Sequence, residues 1–508
     1  MSSELTADAK SMSGASAHRG WITVSLMLAT TMQSLDTTIA NVALPHIQGS
    51  IAATQEQMSW VLTSYIVAVA IMTPLTGWLA GRIGRKQLFL ASIAGFTVAS
   101  VLCGLAQSLT QIVLFRLLQG LCGAALVPMS QAVLLDINPP ERHAKAMSVW
   151  VMGVTVGPIL GPALGAWLTD HYSWRWVFYI NVPIGILSFF GISSFLSETK
   201  QHKTGFDFLG FASLAIGIGA LQLMLDRGQL KDWFSSTEIW VEAIVTVIAF
   251  YVFAVHSATT AQPFINLKIF KDRNFNTGSA FITLVGVLLF ATLALMPPLL
   301  QNLLNYPVMT AGLLTAPRGL GTLLAMFFVG PLIRHTDART VIAVGLAVTA
   351  LSLWQMCGFY VGMNNSLIAW SGLVQGIGIG LAYVPLATVT FATLSPKFRN
   401  EGAAVFNLLR NVGSSIGIAA VQAIFVRNTQ IMHARLVEHV TPLAASQLNL
   451  DSAQGLAGLN ARINAQATMI AYNNDFKLML CLSIAAIPLV FLFRKVQAGQ
   501  SAAPVVAD

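Results

Sequence analysis

One carboxylate, Asp36, lies in the stretch MQSLDTTIANVALP (32–45), inside an apolar run over 21–44. A charged side chain near the centre of a bilayer costs about 2.5–3.5 kcal/mol even on lenient insertion scales, so it requires a partner, an aqueous cavity or a proton. Desolvation disfavours an ionised carboxylate and a nearby cation favours it, and that competition suits a group that binds and releases protons. The alternative is a neutral or hydrogen-bonded acid that fixes helix packing with Gln33 or Asn41. Arg116, in RLLQG (116–120), is the basic counterpart. An arginine stays charged and relays no protons, so its role is either to tune an acid that approaches it or to bond helix carbonyls. At 1.5 Å per residue, Asp36 stands roughly 14 Å and Arg116 roughly 9 Å below the outer ends of their runs, so the two can meet if their helices are neighbours. Gln33, Asn41 and Gln119 are the candidates for contact with a substrate or its pathway.

The glycines suggest mechanics. GVTVGPILGPALG (153–165) repeats Gly153, Gly157, Gly161 and Gly165 every fourth residue on one helix face, with Pro158 and Pro162 beside two of them. Small residues at this spacing permit close helix contact, and the prolines free backbone carbonyls, which predicts a bent helix at a moving interface. GWLAGRIGRKQL (77–88) is a basic turn. Anchoring against a cytoplasmic membrane face accounts for Arg82, Arg85 and Lys86. Gly77, Gly81 and Gly84 are expected to let the turn and its neighbours approach closely, and Gly120 to do so in the fourth run.

Other chemistries find no residues to carry them. The sequence holds neither a GxxxxGK[ST] phosphate loop nor an HExxH pair, so uphill transport would draw on an ion gradient or a separate subunit, with no cofactor and no enzymatic reaction expected. Cys103, Cys122, Cys357 and Cys481 fall in apolar runs without metal-ligand spacing.

The elements that must hold these residues follow from composition. Of 508 residues, 55% are hydrophobic and 9% charged, and the mean hydropathy is +0.69. A soluble domain carries about 25% charged residues, so nothing is left here to cover a water-facing surface of that size. Fourteen apolar stretches recur, at 21–44, 58–80, 88–105, 112–135, 144–168, 176–196, 206–225, 239–255, 277–299, 311–333, 341–360, 368–392, 402–425 and 476–493. Most can cross about 30 Å of hydrocarbon as helices, whereas barrel strands would alternate over about ten residues. The expected fold is an all-α polytopic membrane protein.

Most of the 28 Lys and Arg fall in segments that face inward if both termini are cytoplasmic. The net charge of +8 and pI near 9.4 then reflect anionic inner-leaflet lipid and not nucleic acid. The expected organisation is a tail (1–20), a six-helix bundle (21–198), an inserted helix pair (199–260), a second six-helix bundle (261–495) and a tail (496–508). RLLQGLCGAALVPMSQAVLL (116–135) echoes GLVQGIGIGLAYVPLATVTF (372–391), aligning Gln119 and Gly120 with Gln375 and Gly376. One long outer loop, 427–475, reads as a docking element or a mobile insertion, with helix in its later part.

LDTTIANVALP (35–45), GWLAGRIGRK (77–86), RLLQG (116–120) and GVTVGPILGP (153–162) together resemble the motifs of the major facilitator superfamily, in its fourteen-helix drug:proton antiporter branch. WRWVFYINVPIG (174–185) and LMLDRGQLKDWFSS (223–236) narrow the resemblance to the inner-membrane subunits of tripartite multidrug export systems in Gram-negative bacteria. It implies two six-helix bundles with an inserted central pair and alternating access in the bacterial inner membrane. It also implies proton-driven export of hydrophobic or amphipathic drugs, giving antibiotic resistance, with a periplasmic adaptor protein and an outer-membrane channel as partners. Two departures stand out: Gly81 fills a position where the family's loop motif has an acid, which removes that residue from any charge latch, and Pro162 replaces a glycine. The remaining alternatives are a symporter or uniporter for a defined solute, or a non-transporting receptor or scaffold on the same fold.

Overall fold

The computed structural model describes residues 18–51, 53, 55–139, 142–198, 205–395, 398–440 and 453–494. The first bundle begins with α1 (Arg19–Ile51), which runs seven residues beyond its predicted outer end, and α2 (Gln55–Met72). Next comes α3 (Leu75–Ile83), bent by 58° against the preceding helix. Pro74, which lacks an N–H to continue the ladder, marks the bend. Gly84, with φ of +93°, separates α3 from α4 (Arg85–Leu105). The fourth span is built from α5 (Leu109–Gly123) and α6 (Leu126–Ile137), followed by α7 (His143–His171), the short α8 (Trp176–Tyr179) and α9 (Asn181–Phe195).

The inserted pair is α10 (Phe208–Arg227) and α11 (Thr237–Thr259). The second bundle holds α12 (Arg273–Pro298), which continues into a π turn over Leu299–Leu303, then α13 (Val308–His335) and α14 (Ala338–Met356). It closes with α15 (Asn365–Ala392), α16 (Arg399–Glu438) and α17 (Ala453–Leu489). Ser108, Asp207, Asp272, Asp337 and Asn364 each cap the helix that follows, accepting a backbone N–H in its first turn. Each of the fourteen predicted apolar stretches lies in this helical framework. Among the described residues, eleven helical segments are long and apolar enough to cross a membrane, or twelve when the bent pair is taken as one span.

The bundles meet along α7 with α13 and α15, and along α6 and α3 with α16. Across this seam Asn407 Nδ2 donates to Gln131 Oε1 at 2.8 Å. Trp150 donates to Ser130 Oγ at 2.8 Å and stacks on Tyr383 with ring centres 6.3 Å apart. Arg410 in turn donates to the Tyr383 hydroxyl at 3.1 Å. These residues lie toward the end of the seam where Arg399 opens α16 and His143 opens α7, so that end of the seam is closed. The inserted pair lies against α2 and α16 at the edge of the same seam. There Thr63 of α2 hydrogen-bonds Asp226, and Ser415 of α16 donates to Gln222 Oε1 at 2.8 Å.

The outer loop expected over 427–475 is largely helix. α16 has 40 residues and α17 has 37, about 60 and 55 Å long against about 30 Å of hydrocarbon. Their outer parts form an antiparallel hairpin, tied where His433 and Asn460 approach to 3.2 Å. Residues 441–452 lie outside the described residues, as do both expected tails apart from 18–20. A polar helix shows no apolar run, which is why hydropathy reads it as loop. It forms here because extending an existing helix avoids the cost of a new nucleus. Asp475, expected at the loop's end, is instead fully buried within α17.

Candidate functional site

The structure brings Asp36 and Arg116 together. Arg116 Nη1 donates to Asp36 Oδ2 at 2.6 Å, with 1% and 0% of the two side chains exposed. The approach follows from local packing. A Cβ on Gly120 would lie 2.5 Å from the Tyr65 carbonyl oxygen and 2.8 Å from Ala68 Cβ, so glycine lets α5 seat on α2. One turn earlier, Arg116 Nε reaches the Val61 carbonyl of α2 at 3.2 Å, and the guanidinium lies 4.2 Å from the centre of the Tyr65 ring. Held at two points, the fork projects Nη1 toward Asp36 on α1.

The carboxylate is held by more than its charge partner. Its Oδ1 accepts from Gln119 Nε2 at 2.8 Å and from Asn181 Nδ2 at 3.0 Å. Gln119 Oε1 accepts from Arg116 Nη1 at 2.8 Å, and Ser100 Oγ accepts from both Asn181 at 2.9 Å and Gln119 at 3.2 Å. Ser100 Oγ in turn donates a hydrogen bond to the Phe178 carbonyl at 2.9 Å. Four helices, α1, α4, α5 and α9, thus meet in one buried network whose only formal charges are Asp36 and Arg116. Buried charges persist where they are paired and their remaining lone pairs are satisfied, and removing one partner of such a pair costs about 3–5 kcal/mol. A proton on Asp36 would cancel the attraction to Arg116 while leaving the arginine its carbonyl and glutamine acceptors.

Gln119, expected to meet substrate, is a member of this network. Gln33 is buried on α1 one turn before Asp36, beside Tyr65, whose ring packs on Arg116. The Asn41 side chain lies outside the described residues. Asn181 and Ser100 escaped sequence reading because an uncharged polar residue in an apolar run resembles ordinary helix-packing polarity; YINVPIG offered only the single Asn as a signal.

The small-residue face of α7 packs on the segment of α1 that carries Asp36. A Cβ on Gly157 would strike the backbone at Ser34 and Leu35, one on Gly153 would strike Met27 and Thr30, and one on Gly161 would strike Thr38. Thr31 donates to the Gly153 carbonyl at 3.1 Å and Thr38 to the Gly157 carbonyl at 3.2 Å. Gly165 is buried further along α7, which passes through Pro158 and Pro162 as one unbroken helix; the two proline side chains lie outside the described set. The helix is continuous through both prolines.

The basic turn divides its residues among different tasks. Gly84 needs its positive φ, and Glu198 occupies the space a side chain would fill while accepting the backbone N–H groups of Lys86 and Gln87 at 3.2 Å each. Gly77 lets α3 approach α16, where a Cβ would lie 3.3 Å from Glu401 Cα. Gly81 has open space around it, so the expectation of close packing fails at that position. Arg82 is exposed, 5.9 Å from the Trp78 ring centre. Arg85 pairs with Asp136 of α6, whose other oxygen accepts from Arg399 of α16 at 2.8 Å. The charge cluster that joins the bundles here, in which Gly81 takes no part, is built on Asp136.

A groove of about 390 Å³, lined by Ile71, Gly219, Leu223, Val241, Glu242 and Val245 among others, lies between α2 and the inserted pair, away from Asp36.

A two-bundle helical membrane fold with a buried ion pair beside a small-residue seam has the architecture of a membrane transporter. The chain belongs to the Major Facilitator Superfamily, whose family model matches residues 26–418. It is 37% identical over 483 residues to the fatty acid resistance protein FarB of Neisseria gonorrhoeae, covering 93% of this chain and 95% of that protein. It is also 37% identical over 467 residues to the multidrug export protein EmrB of Escherichia coli K12, covering 90% and 91% respectively. Among solved structures, the fold is similar to the human organic anion transporter MFSD10, with a TM-score of 0.60 at 14% identity, covering 91% of this chain and 99% of that one. A bacterial homologue of the human lysosomal transporter Spinster gives 0.56 at 16% identity, covering 94% and 98%.

Proposed function

We propose that the chain is a proton-coupled antiporter that exports hydrophobic or amphipathic toxic compounds and drugs across a bacterial inner membrane. The observation that carries this reading is the Asp36–Arg116 pair with its Gln119 and Asn181 donors. A fatty acid resistance name and a multidrug export name among relatives 37% identical over nine-tenths of the chain support the substrate class. No cofactor is needed, because the proton gradient supplies the energy.

Asp36 is the coupling carboxylate and Arg116 its counter-ion. Protonation from the outer side neutralises Asp36 and releases α1 from α5. The small-residue face of α7 then lets α1 shift without opening a void, and the cytoplasmic seam separates once Asp136 loses Arg399. Return of the proton to the cytoplasm restores the pair. Both termini lie in the cytoplasm. The chain works with a periplasmic adaptor protein and an outer-membrane channel, which prevent membrane-permeable compounds from re-entering, and the α16–α17 hairpin is the outward surface available for adaptor contact.

Direction of movement tests the reading. In oriented proteoliposomes, an imposed pH gradient should drive a lipophilic drug against the proton flow. Movement of drug with the protons would identify a symporter, and movement indifferent to the gradient a uniporter.

A further inference from the structure

The second bundle contains a buried carboxylate that the Asp36 site does not use. Asp475 is 0% exposed, and neither of its oxygens has a hydrogen-bond partner among the described residues. Its neighbours along α17, Tyr472, Phe476 and Met479, belong to an apolar cluster with Leu295, Leu299 and Val421. The cations of the elements packed on α17 are engaged elsewhere or exposed, and buried Arg410 of α16 bonds Tyr383 and Asn411. Arg427 and Arg435 of α16 are exposed, and Arg273 of α12 and Arg339 of α14 stand at the cytoplasmic ends of their helices. The π turn carries no charged residue, and Lys477 on α17 itself is exposed, interacting with Cys357. Buried Arg318 of α13 donates to the Leu289 carbonyl at 3.1 Å. Tyr472, one turn before Asp475 on α17, is buried with it.

The position of Asp475 mirrors a residue of the first site. Asn181 and Asp475 each lie about fourteen residues, or roughly 21 Å, before the ends of α9 at Phe195 and α17 at Leu489. These are the sixth and last membrane helices of their bundles. Gln375, aligned with Gln119 by the internal echo, donates to Thr292 of α12 at 3.2 Å, as Gln119 donates to Asp36 of α1. Thr292 also donates to Met479 Sδ at 3.6 Å, one turn from Asp475 on the same face of α17. The second bundle thus repeats the polar centre of the first with its carboxylate moved from the first helix to the last, and with no arginine bonded to it among the described residues.

An isolated carboxylate in such surroundings is too costly to keep ionised and takes up a proton instead. We propose that Asp475 is a second proton-binding site of this transporter, occupied by a proton in the conformation described here. The two bundles then hold their carboxylates in opposite charge states, one paired with arginine and one neutral. A rearrangement that admits water to the outer end of α17 would let the second proton leave.

Infrared spectroscopy of the purified full-length protein at neutral pH tests this without transport. The acid carbonyl stretch, recognised by its shift in heavy water, should be present in the wild type, lost or reduced in Asp475→Asn, and retained in Asp36→Asn. A wild type without the band, or a folded Asp475→Asn protein that keeps it in full, overturns the proposal. If the asparagine variant does not fold, Asp475→Glu decides: a shifted band supports the site and an unmoved one rejects it. The signal is independent of whether Asp36 couples transport, so failure of either reading is seen separately.

Discussion

Asp136 and Arg399 join the two bundles, with Arg399 Nη1 2.8 Å from Asp136 Oδ1 while Arg85 holds the second oxygen of the same carboxylate. The pair is partly exposed, 18% for the arginine and 26% for the aspartate, so its worth is that of a surface pair, about 0.2–1 kcal/mol. A contribution of that size biases an equilibrium severalfold without locking it, which suits a joint that must open in every cycle.

Asp136→Asn should therefore favour the cytoplasm-open state. A cysteine placed at Gln131, within the closed seam, is expected to label severalfold faster with a cytoplasmic thiol reagent in the Asp136→Asn background. Arg399→Lys, which keeps the charge, should label at close to the unaltered rate. Equal rates in all three backgrounds would remove the latch role.

Gly157 and Gly81 make a contrasting pair. Gly157→Ala forces a methyl group into the backbone of α1 at Ser34 and Leu35 and should lower thermal stability, by about 1–3 kcal/mol if it behaves as other overpacked sites do, and impair transport. Gly81→Ala meets nothing within 4 Å and should be neutral or slightly stabilising, since alanine is the better helix former. Melting curves and drug-efflux rates of the two variants provide the comparison.

The motif residues were legible for a physical reason: charge within an apolar run and strict glycine spacing are both rare by chance. Asp36, Arg116 and the Gly153, Gly157 and Gly161 face could be picked out that way, and their geometry gives each a contact. Asn181 and Ser100 carry no formal charge and were hidden among residues that polar packing would explain. Asp136 stands at the last turn of α6, where an acid looks like ordinary surface charge until Arg399 arrives from a distance of 263 residues. Asp475 was misplaced because the polar run YNND (472–475) lowers local hydropathy and moves the apparent end of the span past it. Helix was expected only in the later arm of the hairpin, and its first arm read as loop for the related reason that hydropathy finds membranes, not helices.

The hairpin prediction separates docking from transport. Replacing residues 430–464 with a short Gly/Ser linker leaves Asp475 and the apolar cluster in place, and loop closure depends only logarithmically on length. Transport in adaptor-free proteoliposomes should stay within about twofold of wild type by that argument, while co-purification of the periplasmic adaptor and cellular drug resistance fall. Full retention of both by a normally expressed variant would make the hairpin dispensable for docking.

Arg116→Lys keeps a positive charge but loses the planar fork that serves Asp36, Gln119 and the Val61 carbonyl together. It should reduce coupled transport at least tenfold, by analogy with losing one or more buried charge-assisted bonds worth about 1.5–3 kcal/mol each. Combined with Asp36→Asn, it should add little further loss, since the two residues act as a unit. Additive losses in folded variants would assign Arg116 a separate task.

Drug-stimulated proton flux in proteoliposomes, compared between wild type, Asp36→Glu and Asp36→Asn at matched protein abundance, tests the central claim most directly. Asparagine preserves size and hydrogen bonding but cannot titrate. Flux should be abolished in Asp36→Asn and partly retained in Asp36→Glu. A normally folded Asp36→Asn protein with undiminished drug-stimulated proton flux would contradict the account.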